Sequence, residues 1–333
     1  MWAGRERPAH IVRARNFMSA STPTPEKRRR RRTPIGMRSV PYVLVGPAVV
    51  LFILVILIPL GYAAYLSVHG LRVTGGGAFG RQEEVFVGLE NYISTLTDSE
   101  LLAGLGRMLI YAIIAVPLLM GTALIFALLL DSPRGALKGT SRIAIFMPYA
   151  IPSVIASLMW GFLYLPGTSP LHFIASSVGI ELPNPLQGPL IYFAMANLSL
   201  WGGLGFNMII LYTALRSIPP ELFDAARVDG CTEFQIAMRI KVPHLLPALG
   251  LTGLFSILGA LQVYSEPTTL KTLTNGITST FFPLMKVYNE AFVEDDLNQA
   301  AATSIVLAIG ILLLSLLIQK LFNNRRTQGE AAR

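Results

Sequence analysis

Apolar and charged positions separate along this chain into long blocks. Residues 39–71, 108–130, 143–180, 182–215, 242–265 and 297–319 contain no Asp, Glu, Lys or Arg. Each window is long enough for the roughly 20 residues that cross a bilayer as a helix. The apolar cores predict helices at about 42–66, 108–130, 143–165, 190–215, 248–264 and 300–321, the fifth being the shortest. The pattern therefore predicts an all-α, polytopic membrane protein with six transmembrane helices. The first apolar stretch is too long for a signal peptide and shows no obvious small-residue cleavage site, so it is expected to be retained.

Several windows carry interruptions. Pro59, Pro117, Pro148 and Pro152 fall inside spans, where each removes a backbone hydrogen bond and either kinks the helix or is simply tolerated. Gly202, Gly203 and Gly205 would let helices approach closely. They are no nucleotide fingerprint, because no strand precedes them.

Basic residues in the connections set the orientation. The N-terminus, residues 131–142, residues 216–247 and the C-terminal tail together hold 22 Lys and Arg, whereas residues 67–107, 166–188 and 265–299 hold 5. The bias places both termini in the cytoplasm. Five acids in 67–107 and five in 265–299 fit external loops.

Composition agrees with a bilayer as solvent. Of 333 residues, 53% are hydrophobic and 14% charged, with a mean hydropathy of +0.55, against about 25% charged in an ordinary soluble domain. The single cysteine, Cys231, rules out an intrachain disulfide framework. His10, His69, His172 and His244 are scattered, and no Cys/His spacing suggests a metal site. The net charge of +8 raises nucleic acid as a partner, but its placement argues against that. Eleven of 27 basic residues precede residue 39, including the run Lys27–Arg32. Next to a first membrane helix such a run reads as a cytoplasmic retention signal able to touch anionic membrane lipid.

The expected organisation has three parts. Residues 1–38 form a disordered basic cytoplasmic N-terminus, with Met18 and Met37 as alternative starts. Residues 39–322 form the membrane domain, with a cytoplasmic loop at 216–247, and residues 323–333 form a cytoplasmic tail.

That loop holds the most chemistry. From Ser217 to Pro243 it reads as two short helices. Pro220 suits a first helical position, with Glu221 and Asp224 near the positive end of the dipole. Leu222, Ala225 and Ala226 fall at i, i+3 and i+4 and make one small apolar face. Gly230 is placed to end the helix in a left-handed conformation. Thr232 and Gln235 have capping-box spacing for a second helix, expected to run to Pro243. A short helix with an apolar face outside the membrane suits either docking into a partner's groove or lying on the bilayer surface.

The same segment resembles the EAA motif of binding-protein-dependent ABC importer permeases, in which Glu-Ala-Ala is followed by three residues, a Gly and a downstream Pro. Asp224, Ala225, Ala226, Asp229, Gly230 and Pro243 match its spacing, while Asp224 stands for the usual Glu and Cys231 for the usual Ala. Pro41–Ser67 and Phe86-Val-Gly-Leu-Glu-Asn-Tyr92 are similar to the first helix, and the signature after it, of the maltose and glycerol-3-phosphate type of carbohydrate permease. Both point to the upstream member of a permease pair. Ser265-Glu-Pro-Thr-Thr-Leu270 departs from the Thr-Gly-Gly-Pro-like turn of many relatives.

The resemblance, which covers roughly residues 40–322, implies a type I ABC importer transmembrane domain in a bacterial plasma membrane. It implies a second homologous permease as heterodimer partner, an ATPase subunit dimer and an external solute-binding protein. Glu221, Leu222, Asp224, Ala225, Ala226, Asp229, Gly230 and Pro243 would couple to the ATPase. The cargo implied is a sugar or oligosaccharide, with a glycerol phosphate as the alternative.

No lysine in the chain follows a glycine, so a Gly-Lys-Ser/Thr phosphate loop is absent. No enzyme activity or cofactor is expected here, with ATP and Mg bound by the partner ATPase. The six windows contain no carboxylate, which disfavours a proton-coupled secondary transporter; a self-sufficient secondary transporter or channel is the less favoured alternative. No nucleophile, base and metal-ligand set converges in the spans, which disfavours an intramembrane enzyme. Solute-pathway candidates are Asn197, Ser199, Trp201 and Asn207 in the fourth span and Gln262 and Tyr264 in the fifth. Each could equally bridge helices or sit at a membrane interface. Residues 277–296, with Phe281, Phe282, Tyr288 and Phe292 among acids, predict an amphipathic external helix.

Overall fold

The computed structural model describes residues 35–74, 81–132 and 138–331, with side chains over 42–72, 83–132 and 139–320. Residues 1–34 of the expected disordered N-terminus lie outside these. Residues 35–38, assigned to that segment from sequence, are already helical.

The chain divides at Leu57 into two compact units. The first contributes α1 (Ile35–Phe52) and a π-turn, Ile53–Leu57. The second begins with α2 (Ile58–Ser67), followed by a hairpin of β1 (His69–Thr74) and β2 (Arg81–Phe86). Then come α3 (Glu90–Thr97), α4 (Ser99–Asp131), α5 (Lys138–Phe146), α6 (Ser153–Tyr164) and α7 (Pro170–Ser177). The chain continues with α8 (Leu190–Arg216), α9 (Pro220–Val228), α10 (Glu233–Ile236) and α11 (Val242–Leu261). It closes with α12 (Ser265–Leu270), α13 (Pro283–Phe292) and α14 (Leu297–Ala331). The last helix runs through most of the expected tail.

Among the described residues five helices are long and apolar enough to cross a membrane, and a bent pair, Gly139–Ala150 with Ser153–Tyr164, makes a sixth where its two halves count as one span. The continuous third helix expected at 143–165 is therefore broken, with a bend of 99°. Proline is the cause. Pro152 forces Ile151 out of the helical region, to φ −85° and ψ 127°. Pro117, by contrast, sits inside an unbroken α4.

A second correction concerns Pro243, which does not end the helix begun at Thr232. A π-turn, Ala237–Lys241, joins α10 to α11, and Pro243 stands in the first turn of α11. Both π-turns among the described residues end two residues ahead of a proline (Leu57 before Pro59, Lys241 before Pro243). A widened turn is one way for a helix to absorb the donor that proline withholds.

Helix directions alternate. The first half of α4 packs on the start of α8 through Met108, Tyr111, Ala194 and Met195. The second half packs on the end of α8 through Ala123, Ala127, Met208 and Leu211. These two helices therefore run the same way. α11 runs oppositely, with Leu245 in the second cluster and Leu261 in the first. The end of α2 meets the start of α14, where Asn298 Nδ2 donates to the Leu66 carbonyl at 3.1 Å. The end of α6 meets the start of α8, where the Tyr164 hydroxyl donates to the Ala194 carbonyl at 3.1 Å.

Of the three glycines expected at close approaches, Gly205 is the one without room for a side chain. A Cβ there would lie 2.5 Å from Phe146 Cα. At Gly203 it would meet the tips of the Leu119 and Asn207 side chains, and at Gly202 nothing within 4 Å.

The hairpin is a feature that the charge pattern did not predict. Its register sets Arg72 opposite Glu83, and Arg72 also pairs with Glu90 at 2.5 Å. The Val87-Gly-Leu-Glu-Asn-Tyr92 signature staples this hairpin to α2. Gly88 adopts φ +64° and donates to the Val68 carbonyl. Asn91 Nδ2 donates to the carbonyls of Ser67 and His69, and the Tyr92 hydroxyl meets Ser67 Oγ at 2.7 Å.

Candidate functional site

The segment from Pro219 to Lys241 is built by local chemistry. Pro220 opens α9, with Glu221 in the first turn. Its end is a Schellman arrangement: the Cys231 N–H donates to the Ala226 carbonyl at 2.9 Å and the Gly230 N–H to the Arg227 carbonyl at 3.0 Å. Gly230 takes φ +81°, a region that costs L side chains roughly 1–2 kcal/mol. The capping box forms as expected. Thr232 Oγ1 accepts from the Gln235 N–H at 3.3 Å, and Gln235 Oε1 accepts from the Thr232 N–H at 2.8 Å. Arg227 spans the two helices, at 2.8 Å from Asp224 and 2.9 Å from Glu233.

The apolar face read from the sequence is split. Ala226 is buried, and Phe223 packs against the second core cluster. Leu222 and Ala225 point outward with Asp224, Val228 and Asp229. Ala226 therefore anchors the helix rather than presenting itself for docking. The reason is tertiary: α9 lies on the bundle, and residues 223 and 226, three apart, share the face that meets it. The outward surface is apolar at Leu222 (50% exposed), Val228 (88%) and Phe234 (70%). Pro243, exposed, stands beyond the π-turn and outside this surface.

Below α9 lies a buried ion pair that sequence reading missed. Lys241 Nζ is 2.5 Å from Asp131 Oδ2, and both side chains are 7% exposed. The Phe223 ring covers the same ammonium at 4.8 Å. Asp131 is the last residue of α4 and Lys241 the last of the π-turn.

The solute-pathway candidates do not form one site. Ser199 Oγ and the Tyr111 hydroxyl are 2.5 Å apart, which ties α8 to α4. Asn207, 5% exposed, donates to the Gly203 carbonyl and accepts from Ser256 Oγ at 3.4 Å. Both polar side chains bridge helices. Asn197 Nδ2 donates to the Tyr164 hydroxyl at 2.9 Å, and Trp201 stands edge-on to Trp160. Trp160, Tyr164 and Asn197 line an open depression of about 340 Å³ with Pro183, Pro185 and Phe193. Gln262 is exposed, and Tyr264 packs on Tyr288 away from that depression. Trp160 and Tyr164 escaped sequence reading, although their spacing of four places them on one helix face.

At the opposite end of α4, the helix expected over 277–296 occupies Pro283–Phe292 and is packed rather than free. Met285, Lys286, Asn289 and Glu290 are buried, whereas Tyr288 and Phe292 remain exposed. Lys286 Nζ lies 2.6 Å from Asp98 and 3.2 Å from Glu290. Burial lowers the Lys286 ammonium, but the two carboxylates outweigh it and hold the ammonium above its ordinary range. Burial likewise pushes Asp98 up, and Lys286 with the N–H groups of Leu101 and Glu100 brings it below the usual carboxylate range. Glu290 is held above that range, chiefly by burial.

The model of the family described as "Binding-protein-dependent transport system inner membrane component" matches residues 99–328. The sn-glycerol-3-phosphate transport system permease protein UgpA of Agrobacterium fabrum is 29% identical over 281 residues, 83% of this chain and 92% of that protein. The probable ABC transporter permease protein YurN of Bacillus subtilis is 27% identical over 300 residues, 87% and 98% of the two chains. Among solved structures, a chain of a bacterial ABC transporter involved in the import of the acidic polysaccharide alginate superposes with a TM-score of 0.72 at 18% identity. The match covers 86% of this chain and 96% of that one.

Proposed function

The chain belongs to the family of binding-protein-dependent transport system inner membrane components, and from that membership we propose that it is the permease subunit of an ATP-driven sugar importer. The α9–α10 segment carries the reading. It is a capped helix whose inner face is seated on the bundle and whose outer face presents Leu222, Ala225 and Val228. Such a helix docks in a cleft of an ATPase subunit, which holds ATP and Mg. A second, homologous permease completes the pathway, and an external binding protein delivers the solute. The 22-to-5 bias of basic residues puts the α9 end and both termini in the cytoplasm of a bacterial cell. ATP closes the ATPase dimer, displaces α9 and turns the bundle from inward-facing to outward-facing.

A neutral or weakly polar sugar fits better than a phosphate ester. Among the described residues the three Lys and Arg that are not exposed to solvent are already committed. Arg107 donates to the carbonyls of Thr280 and Phe281, Lys241 pairs with Asp131, and Lys286 pairs with Asp98 and Glu290. None is left to receive a phosphate. The names of relatives that carry glycerol-3-phosphate keep that ester as the second reading.

Reconstitution with and without the ATPase subunit tests the assignment, using a panel of labelled sugars and sn-glycerol-3-phosphate. Uptake is expected only with ATPase and ATP. Gly230→Pro, which locks φ near −65° where +81° is needed, is expected to abolish co-purification of the ATPase. Full-rate movement of solute by the chain alone, down its gradient, would overturn the importer reading.

A further inference from the structure

Three elements converge on one buried ammonium. α9 supplies the ring of Phe223, α4 its terminal carboxylate Asp131, and the π-turn Lys241 itself. We infer that the Asp131–Lys241 pair, roofed by Phe223, is the joint through which movement of α9 reaches α4 and α11 together. The inference rests on the docking role of α9 proposed above.

A helix containing a widened turn can change register there, since its hydrogen bonds already run i→i+5 rather than i→i+4. A push on α9 would then be absorbed between α10 and α11 before it reached the span. The buried pair opposes that. Separating two charges that are each 7% exposed leaves both unpaired in an apolar surround. Lys241 therefore cannot slide without carrying Asp131, and Asp131 cannot move without α4. The ammonium also sits at the C-terminal end of α4, where the helix dipole favours a cation. Phe223 contacts it from the side on which α9 would be pushed, through the ring face that attracts a cation.

The surroundings are consistent with a joint rather than a general core. Leu130, next to Asp131, and Leu245, one helical turn past Lys241, belong to one apolar cluster with Met208, Leu211 and Leu215 of α8. α4, α8 and α11 are thus packed together just inside the pair. A displacement delivered at Lys241 acts on all three. Asp131 and Lys241 are positioning residues, because neither lies on the outward surface that would touch the ATPase.

The test uses the whole transporter in proteoliposomes, with ATP and vanadate as the probe. Gln262→Cys, placed in a Cys231→Ser background at the far end of α11, reports opening by its rate of labelling with a membrane-impermeant maleimide. With the pair intact, vanadate trapping is expected to raise that rate. Asp131→Asn and Lys241→Met are expected to keep the ATPase bound and hydrolysing while the rise falls about tenfold, since one side of a buried pair is lost. The reversed pair, Asp131→Lys with Lys241→Asp, is expected to recover part of it. Phe223→Leu keeps the pair and the fold, and is expected to weaken the response about threefold through loss of the ring face.

An undiminished response in either single variant or in Phe223→Leu overturns the joint. So does a loss in the single variants that the reversed pair does not repair while Phe223→Leu responds normally, because the pair would then serve folding alone. A transporter with the intact pair that binds no ATPase, or shows no rise, overturns the docking reading and the joint with it.

Discussion

The two ends of α4 each hold a buried lysine, and they hold it differently. The helix has 33 residues and is about 50 Å long at 1.5 Å per residue. Asp98 caps its N-terminus and pairs with Lys286, whereas Asp131 closes its C-terminus and pairs with Lys241. At the start the terminal carboxylate, Asp98, has the sign that the helix dipole favours, whereas at the end Asp131 has the opposite sign and the Lys241 ammonium offsets it. At the start, Lys286 has two carboxylates, and Asp98 is 26% exposed. Arg107 reinforces that end by donating to the carbonyls of Thr280 and Phe281. At the far end a single pair, each side chain 7% exposed, stands between a π-turn and a surface helix. One end is tied redundantly and resists movement. The other depends on one bond beside a segment that can shift register.

The largest effect should come from removing the two lysines in turn. Lys241→Met leaves Asp131 buried and alone, which costs about 3–5 kcal/mol. Lys286→Met should cost less, about 1–3 kcal/mol. Glu290, already held above its ordinary range, can take a proton, and Asp98 keeps its bonds from the N–H groups of Glu100 and Leu101. Thermal unfolding in detergent should therefore show the deeper drop for Lys241→Met. Equal drops would erase the contrast between the ends.

A pH series sharpens the redundant end. Glu290 has a folded-state pKa above its ordinary 4.5, so its contribution is fully present below 4.5 and is lost as pH rises through the folded value. Replacing it by Gln removes that loss. The unfolding midpoint of Glu290→Gln should match that of the parent near pH 4.5 in its trend and gain on it as pH rises toward neutrality. A difference that does not change with pH would mean that Glu290 is not ionising within the fold.

How much of this was legible in the sequence depends on what holds each part. The spans were readable because a bilayer excludes charge, and charge placement is local. The caps of α9 and α10 were readable too, since Gly230, Thr232 and Gln235 act within a few residues of themselves. The outward face of α9 was not, because only the bundle decides that Ala226 turns in and Ala225 out. The Asp131–Lys241 pair joins residues 110 apart at the margins of two windows, where a charge looks like an ordinary boundary. The hairpin was hidden by its charged faces, which read as loop until Arg72 is set across from Glu83. The fragmentation of the third span was half-visible in Pro148 and Pro152, but a sequence does not distinguish a kink from a 99° turn.

The smallest effect belongs to the exposed ion pairs of Arg227. Its guanidinium reaches Asp224 and Glu233, so it looks like the strut that sets α9 against α10. Solvent screens it, however, and exposed pairs of this kind contribute little. The angle between the helices is already fixed by the Schellman turn at Gly230 and the capping box at Thr232, which are backbone devices. Arg227→Gln should therefore leave the unfolding midpoint unchanged at low and at high salt, and the ATPase should co-purify as before. A marked, salt-sensitive fall would mean that surface charge, not backbone geometry, sets α9 against α10. The Asp131 end of α4 would then be tied at two levels like its opposite, and the asymmetry between a fixed end and a jointed end would fail.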